Sequence, residues 1–214
     1  PRKGTIAVGS DADLVVYAAG MQPAYGSIVT VHGETLHETS YHRILRPGDL
    51  LLADVGAETP EGWAADVTRT WPVTGRFSST QRALYEVVLG AQRAALDCVR
   101  PGVRYLEVHR AAARALGAGL VALGVLRGDV EELYARGAIA LFFPHGIGHL
   151  LGLDVHDMED LGDRAGYADG APRSPHPGEA ALRLDRVLEP DMVVTVEPGF
   201  YRNPALLGDA VRRG

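Results

Sequence analysis

The chain has 214 residues, 46% of them hydrophobic and 22% charged, with a formal net charge of -6 and a pI near 5.7. That size and composition fit a globular chain with one substantial core or two small ones, and the acidic balance argues against nucleic acid or an anionic membrane as the main partner. No apolar run approaches the length that spans a bilayer and no signal peptide is read at the start. Cys98 is the single cysteine, so no internal disulfide is expected, and the expected setting is cytoplasmic.

Residues 1–17 read as a short hairpin around Gly9, Ser10 and Asp11. Their wording resembles the C-terminal segment of hydantoinases and dihydropyrimidinases, so residues 1–20 are read as a hydantoinase-like tail and residues 21–214 as the functional domain. From Tyr25 the pattern changes. SIVTV (27–31) and DLLLADV (49–55) are β-rich runs, and WAADVTRTWPV (63–73) reads as a further strand after the turn at Pro60 and Glu61. If the last two form a hairpin, Asp54 and Asp66 fall opposite one another, where Cβ atoms stand roughly 4.5–5.5 Å apart. Two like charges so placed disfavour ionisation unless a cation lies between them. The alternative is that one aspartate only caps a turn in a different register.

Helices are expected over 81–99, with apolar residues at 84, 87, 88, 91, 95 and 99, and from Tyr105 to about Ala122, with Leu106, Val108, Ala112, Leu116 and Leu120 inward. A short third covers Val130 to Ala135. These helices carry no evident chemistry and read as scaffold.

The stretch LFFPHGIGHLLGLDVHDM (141–158) holds His145, His149 and His156, three of the chain's eight histidines within twelve residues. Histidine is the commonest metal ligand and a ready acid or base near neutral pH. A zinc-binding HxxxH helix is disfavoured by Gly146, Gly148 and Gly152. The competing reading is a glycine-rich loop whose histidines have no joint role. Residues 161–186, rich in Gly, Pro and Asp, read as a long surface loop or lid, and MVVTVEPGFY (192–201) as a last strand ending at Glu197. Glu197 is either a solvated strand end or a ligand on a rigid element. Two strand-rich blocks with helices between them predict α+β with a mostly antiparallel sheet. Asp54, Asp66, His149 and Glu197 would form an oxygen-rich set suited to Mn²⁺, Co²⁺ or Fe²⁺, of the kind that supports two-metal hydrolysis.

Three motifs in series, DVG followed by DVTRTWPV, then HGIGHLLGLDVHD, then LEPDMVVTVEPGFY, resemble the pita-bread metallopeptidases, closest to aminopeptidase P and prolidase, over residues 26–201. The resemblance implies a curved antiparallel sheet covered by helices, and Asp54, Asp66, His149 and Glu197 as ligands of two divalent ions, most naturally Mn²⁺ with Co²⁺, Fe²⁺ or Zn²⁺ as alternatives. It further implies that Asp66 bridges the ions and that Glu197 handles the proton of the attacking water. His37, His145 and His156 match histidines of the substrate pocket, with His156 the one that offsets oxyanion charge, while His42 and His176 match no motif and read as surface residues. The implied reaction is hydrolysis of the peptide bond before proline, with a proline-containing peptide as partner. Alternatives are a non-catalytic binding module and creatinase-like amidine hydrolysis. The family's fifth ligand is a glutamate after the VEPG motif. No glutamate follows Glu197 here. The expectation is therefore a domain cut short at both ends, with impaired metal loading unless Asp209 substitutes, and with an exposed sheet edge that favours homo-oligomers.

Overall fold

The computed structural model of the protein describes residues 19–38, 41–168 and 170–213, with side chains described up to residue 208. The chain divides into two compact units, one through Ser78 and one from Ser79 onward. The hairpin expected over residues 1–17 lies outside the described residues.

The first unit is built from β1 (Gln22–Pro23), β2 (Ile28–Thr30), β3 (Leu50–Val55), β4 (Ala57–Glu58) and β5 (Val67–Pro72). Strands β2, β3 and β5 form an antiparallel sheet with β3 in the centre, and β1 pairs antiparallel with β4. All three β-rich runs therefore become strands, though the third contributes only its second half. The hairpin register differs from the expected one. Asp54 faces Thr68 and Val55 faces Val67, and the ladder runs on through Ala65 N–H to the Ala57 carbonyl at 2.8 Å and the Glu58–Ala64 bridge. That register sets Asp66 opposite Gly56, so Asp54 and Asp66 are diagonal neighbours on one face and not a directly opposed pair. The cause is the turn. The Thr59 N–H bonds the Trp63 carbonyl and the Gly62 N–H bonds the Thr59 carbonyl, which makes a five-residue loop centred on Glu61 and shifts the pairing.

The second unit contains α1 (Ser79–Leu96), α2 (Tyr105–Ala122), α3 (Val130–Ala135), α4 (Asp163–Gly166) and α5 (Pro204–Arg213), with 3-10 turns at Ile139–Leu141 and Glu159–Leu161. The helical periodicities hold. Leu106, Val108, Ala112, Leu116 and Leu120 of α2 are all buried, as are Ala91 and Ala95 of α1, while Leu84, Val87, Val88 and Val99 pack partly buried against them. Ile139, Phe143, Ile147, Leu182 and Leu184 complete this core, so the histidine stretch begins inside it. Asp129 caps α3 by accepting from the N–H groups of Glu131 and Glu132 at 2.9 and 3.1 Å.

Two expectations need correction. Residues 161–186 are not a loose surface lid, because Tyr167, Glu179, Leu182, Leu184 and Asp185 are all buried within it. Arg104 forks onto Asp185 with two bonds of 2.6 Å, and the Tyr167 hydroxyl donates to the Leu182 carbonyl at 2.8 Å. Glycine and proline there serve tight turns between buried anchors. Residues 192–201 are also not a regular strand. They run antiparallel to residues 147–151, with the Leu151, Thr195 and Glu197 N–H groups bonding the Val193, His149 and Ile147 carbonyls in turn, but only Leu150 and Val194 form a bridge. The Tyr105 hydroxyl occupies the Thr195 carbonyl, and the His149 N–H turns instead to Thr195 Oγ1 at 3.1 Å. Helix α5 follows where the sequence reading placed no element; the Asn203 side chain accepts from the Ala205 N–H at 2.9 Å.

Candidate metal centre

In the first unit the two aspartates meet on one phenol. The Tyr25 hydroxyl oxygen lies 2.5 Å from Asp54 Oδ1 and 2.8 Å from Asp66 Oδ1. Tyr25 reaches them across Gly56. A Cβ at that position would stand 1.9 Å from the Ala65 carbonyl oxygen and 2.5 Å from Tyr25 Cε1, so only glycine lets both strand and ring come so close. Burial first, then the hydrogen bonds to Asp54 and Asp66, raise the Tyr25 pKa, and the phenol stays protonated. Two carboxylates on adjacent antiparallel strands form a hard-oxygen donor pair for a divalent ion.

The second unit supplies an imidazole and a carboxylate in the same manner. His149 is buried, 5% exposed, and its Nδ1 lies 2.8 Å from the Leu150 carbonyl. That carbonyl can only accept, so Nδ1 carries a hydrogen, and in the neutral ring Nε2 holds the lone pair. Nε2 points at Glu197 Oε1, 3.2 Å away. A lone pair and a carboxylate oxygen at that distance repel unless a proton or a metal ion lies between them, so the pair suits either a shared proton or a divalent ion. Thr195 holds both partners, donating from Oγ1 to Glu197 Oε1 at 2.8 Å and accepting from the His149 N–H. Gly148 stands at φ +158°, where a Cβ would meet the Thr195 carbonyl oxygen at 2.2 Å.

The other histidines divide. His156 lies edge-on to His149 with ring centroids 4.5 Å apart, and its Nδ1 stands 3.0 Å from Glu159 Oε2 and 3.3 Å from Arg183 Nη1; Arg183 and Glu159 are themselves paired. His145 packs edge-on against Phe143 and Tyr201, with Nε2 3.0 Å from the Tyr201 hydroxyl. His37 is exposed with φ +58° and makes no hydrogen bond among the described residues, so the structure does not tie it to Asp54 or Asp66. His42 is exposed as expected. His176 is not a bare surface residue. Its ring stacks on Tyr134 at 4.7 Å and its Nε2 donates to the Tyr134 carbonyl at 2.7 Å.

The sequence reading missed four contributors, Tyr25, Thr195, Glu159 and Arg183. Tyr25 marked only a change of pattern and Thr195 only a β-branched residue in an apolar run. A tyrosine one residue before Gly26 carries no spacing signal, since its partners lie 29 and 41 residues away. Thr195 had one available signal, its position two residues from Glu197 on the same face of an extended segment.

Compared with protein families, residues 7–213 match metallopeptidase family M24. The chain belongs to that family. The M24 match begins inside the stretch whose wording resembles hydantoinases, and that second likeness finds no support. Among M24 relatives, the chain is 43% identical over 185 residues to the Xaa-Pro aminopeptidase of Escherichia coli, covering 85% of the chain and 37% of the relative. It is 40% identical over 169 residues to the human Xaa-Pro dipeptidase, covering 79% of the chain and 33% of the relative. Among solved structures it matches a zinc-substituted Escherichia coli aminopeptidase P in complex with product, with TM-score 0.71, 43% identity, and coverage of 85% of the chain and 37% of that protein. The chain thus spans between a third and two-fifths of the length of these relatives, and the α+β pita-bread class expected from its sequence stands.

Proposed function

We propose that this chain forms part of a metal-dependent peptidase that cleaves the bond preceding proline, with Asp54, Asp66, His149 and Glu197 as metal ligands and two Mn²⁺ ions as the natural occupants. The observation that carries the reading is the His149–Glu197 pair, a tautomer-fixed imidazole facing a carboxylate at 3.2 Å. The printed activities of the relatives, Xaa-Pro aminopeptidase and Xaa-Pro dipeptidase, support the substrate class. The set is mixed nitrogen and oxygen without thiolate, which fits Mn²⁺ and the other borderline divalent ions. Residues 198–214 contain no glutamate, so these four residues are the ligands proposed from this stretch.

When bound, divalent ions in such a site acidify water and polarise a carbonyl. The protein's own residues then have separable tasks. Glu197, steered by the Thr195 hydroxyl, takes the proton of the attacking water. His156, whose Nδ1 can accept from Arg183 Nη1 at 3.3 Å while Glu159 holds Arg183, keeps its hydrogen on Nε2 in that tautomer and is oriented to donate toward the developing oxyanion. His145, braced by Phe143 and Tyr201, and His37 contribute to the substrate pocket. A proline after the scissile bond leaves an amide without N–H, so recognition rests on shape and not on a ladder bond.

The test is elemental analysis of the chain after Mn²⁺ loading and desalting, together with hydrolysis of Xaa-Pro and Xaa-Ala peptides. Manganese bound at fewer than two ions per chain, as expected of a set without the family's further glutamate, and removed by His149→Ala or Asp66→Asn, with slow cleavage confined to Xaa-Pro peptides, is the expected result. No manganese retained by the unaltered chain would overturn the metal reading. Cleavage of small guanidino compounds in place of Xaa-Pro peptides would move the assignment to amidine hydrolysis.

A further inference from the structure

Tyr25 has no counterpart among the residues assigned so far. Its hydroxyl contacts one oxygen, Oδ1, of each aspartate, and its ring lies over Gly56, the residue opposite Asp66 in the hairpin. The contacts come from three different points of the chain, a loop between β1 and β2, the end of β3 and the residue before β5. An aspartate on a strand keeps rotation about its terminal bond, and nothing in the strand itself selects which oxygen faces which way. A donor shared by both carboxylates does select it.

We infer that Tyr25 is a positioning residue for the metal centre, whose hydroxyl holds Oδ1 of Asp54 and Oδ1 of Asp66 and so presents the second oxygen of each to a divalent cation. The inference rests on the reading of Asp54 and Asp66 as ligands. Outer residues that orient ligands in this way typically change metal affinity about 10- to 100-fold when removed. A purely structural role for Tyr25 would lie in its ring, which fills the space that Gly56 leaves. The two roles separate chemically, because phenylalanine keeps the ring and removes only the hydroxyl.

The experiment is titration of Mn²⁺ alone into the chelator-stripped full chain, comparing the unaltered protein with Tyr25→Phe and Tyr25→Leu, with the metal-free melting temperature of each recorded alongside. Both variants are expected to bind Mn²⁺ about 10- to 100-fold more weakly, with metal-free melting close to the unaltered chain for Phe and clearly lowered for Leu. Mn²⁺ binding by Tyr25→Phe equal to that of the unaltered chain would overturn the inference and leave the metal reading intact. Absence of Mn²⁺ binding by the unaltered chain would overturn both. Loss of folding in Tyr25→Phe that added Mn²⁺ does not restore would also overturn it, since the hydroxyl would then serve the fold and not the metal.

Discussion

His149 Nε2 stands 3.2 Å from Glu197 Oε1, and the two residues are diagonal neighbours across an antiparallel ladder, with Thr195 opposite His149 and Ile147 opposite Glu197. Asp54 and Asp66 are related in the same way, diagonal across the β3–β5 register with Gly56 and Thr68 at the intervening positions. In each unit a glycine permits a close backbone approach beside the pair, and a tyrosine fills the gap, the Tyr25 ring over Gly56 and the Tyr105 hydroxyl against Gly148. Diagonal placement suits ligands better than direct opposition. It leaves several ångströms between the Cβ atoms, room for an ion between the carboxylate or imidazole heads.

Replacing Thr195 by Val should separate the pair without changing its volume much. The buried His149 N–H would lose its acceptor and Glu197 Oε1 its donor. A stability loss of about 1–3 kcal/mol is expected, with Mn²⁺ affinity lowered roughly 10-fold or more. Chemical denaturation and metal titration check the two effects independently.

Gly56→Ala places a methyl group against the Ala65 carbonyl and the Tyr25 ring. The hairpin must open there, at a cost of about 1–3 kcal/mol, and the Tyr25 hydroxyl must leave at least one aspartate. The expected outcome is a lowered melting temperature together with weakened Mn²⁺ binding. Gly75→Ala is the control, since space is open around it although its φ of +76° carries its own strain; it should lower stability and leave Mn²⁺ binding unchanged.

Metal removal should be visible in stability as well. A ligand that binds only the folded chain adds about 2.7 kcal/mol at a hundredfold excess over its dissociation constant. Chelator treatment should therefore lower the melting temperature and Mn²⁺ should restore it, while Asp66→Asn should melt at the same temperature with and without the ion. Differential scanning calorimetry reads the difference directly.

Acid should weaken the second unit in two separate windows. Burial pushes His109 down to about 4; its Nδ1 has no hydrogen-bond partner among the described residues and its ring lies on Phe143. The unfolded chain binds that proton near 6.5 and the folded chain only near 4, so stability is lost as pH falls from 6.5 to 4, by about 3 kcal/mol. Burial alone would raise Glu179, but the bonds from Arg110, Ser174 and Tyr134 outweigh it and hold Glu179 down to about 2. Its contribution is present above 4.5 and lost between 4.5 and 2. Denaturation free energies at closely spaced pH values should fall in both windows, and His109→Leu should flatten the upper window only.

Much of the scaffold is legible from periodicity. The inward positions of α2 follow the helical repeat because a helix can bury only one stripe, and the strands around Asp54 follow β-rich runs bounded by turn residues. The register of the hairpin was not legible. A two-residue shift in register moves the partner of Asp66 from Asp54 to Gly56 and keeps it on the same face, and the run of residues between the strands accommodates either turn. The buried anchors of residues 161–186 were hidden for another reason. Glu179 and Asp185 look like solvated charges until Arg110 and Arg104, 69 and 81 residues earlier, are brought to them.

The sequence by itself determined the family-wide pieces, namely the motif order and the helical and β-rich segments around it, because these depend on residue type and local spacing. Only the tertiary structure decided which atoms do the holding: Tyr25 on both aspartates, Thr195 between His149 and Glu197, and the His149 tautomer set by the Leu150 carbonyl. Hydrogen bonds select partners by distance and direction in space, and those contacts join residues up to 46 positions apart, beyond the reach of any local pattern.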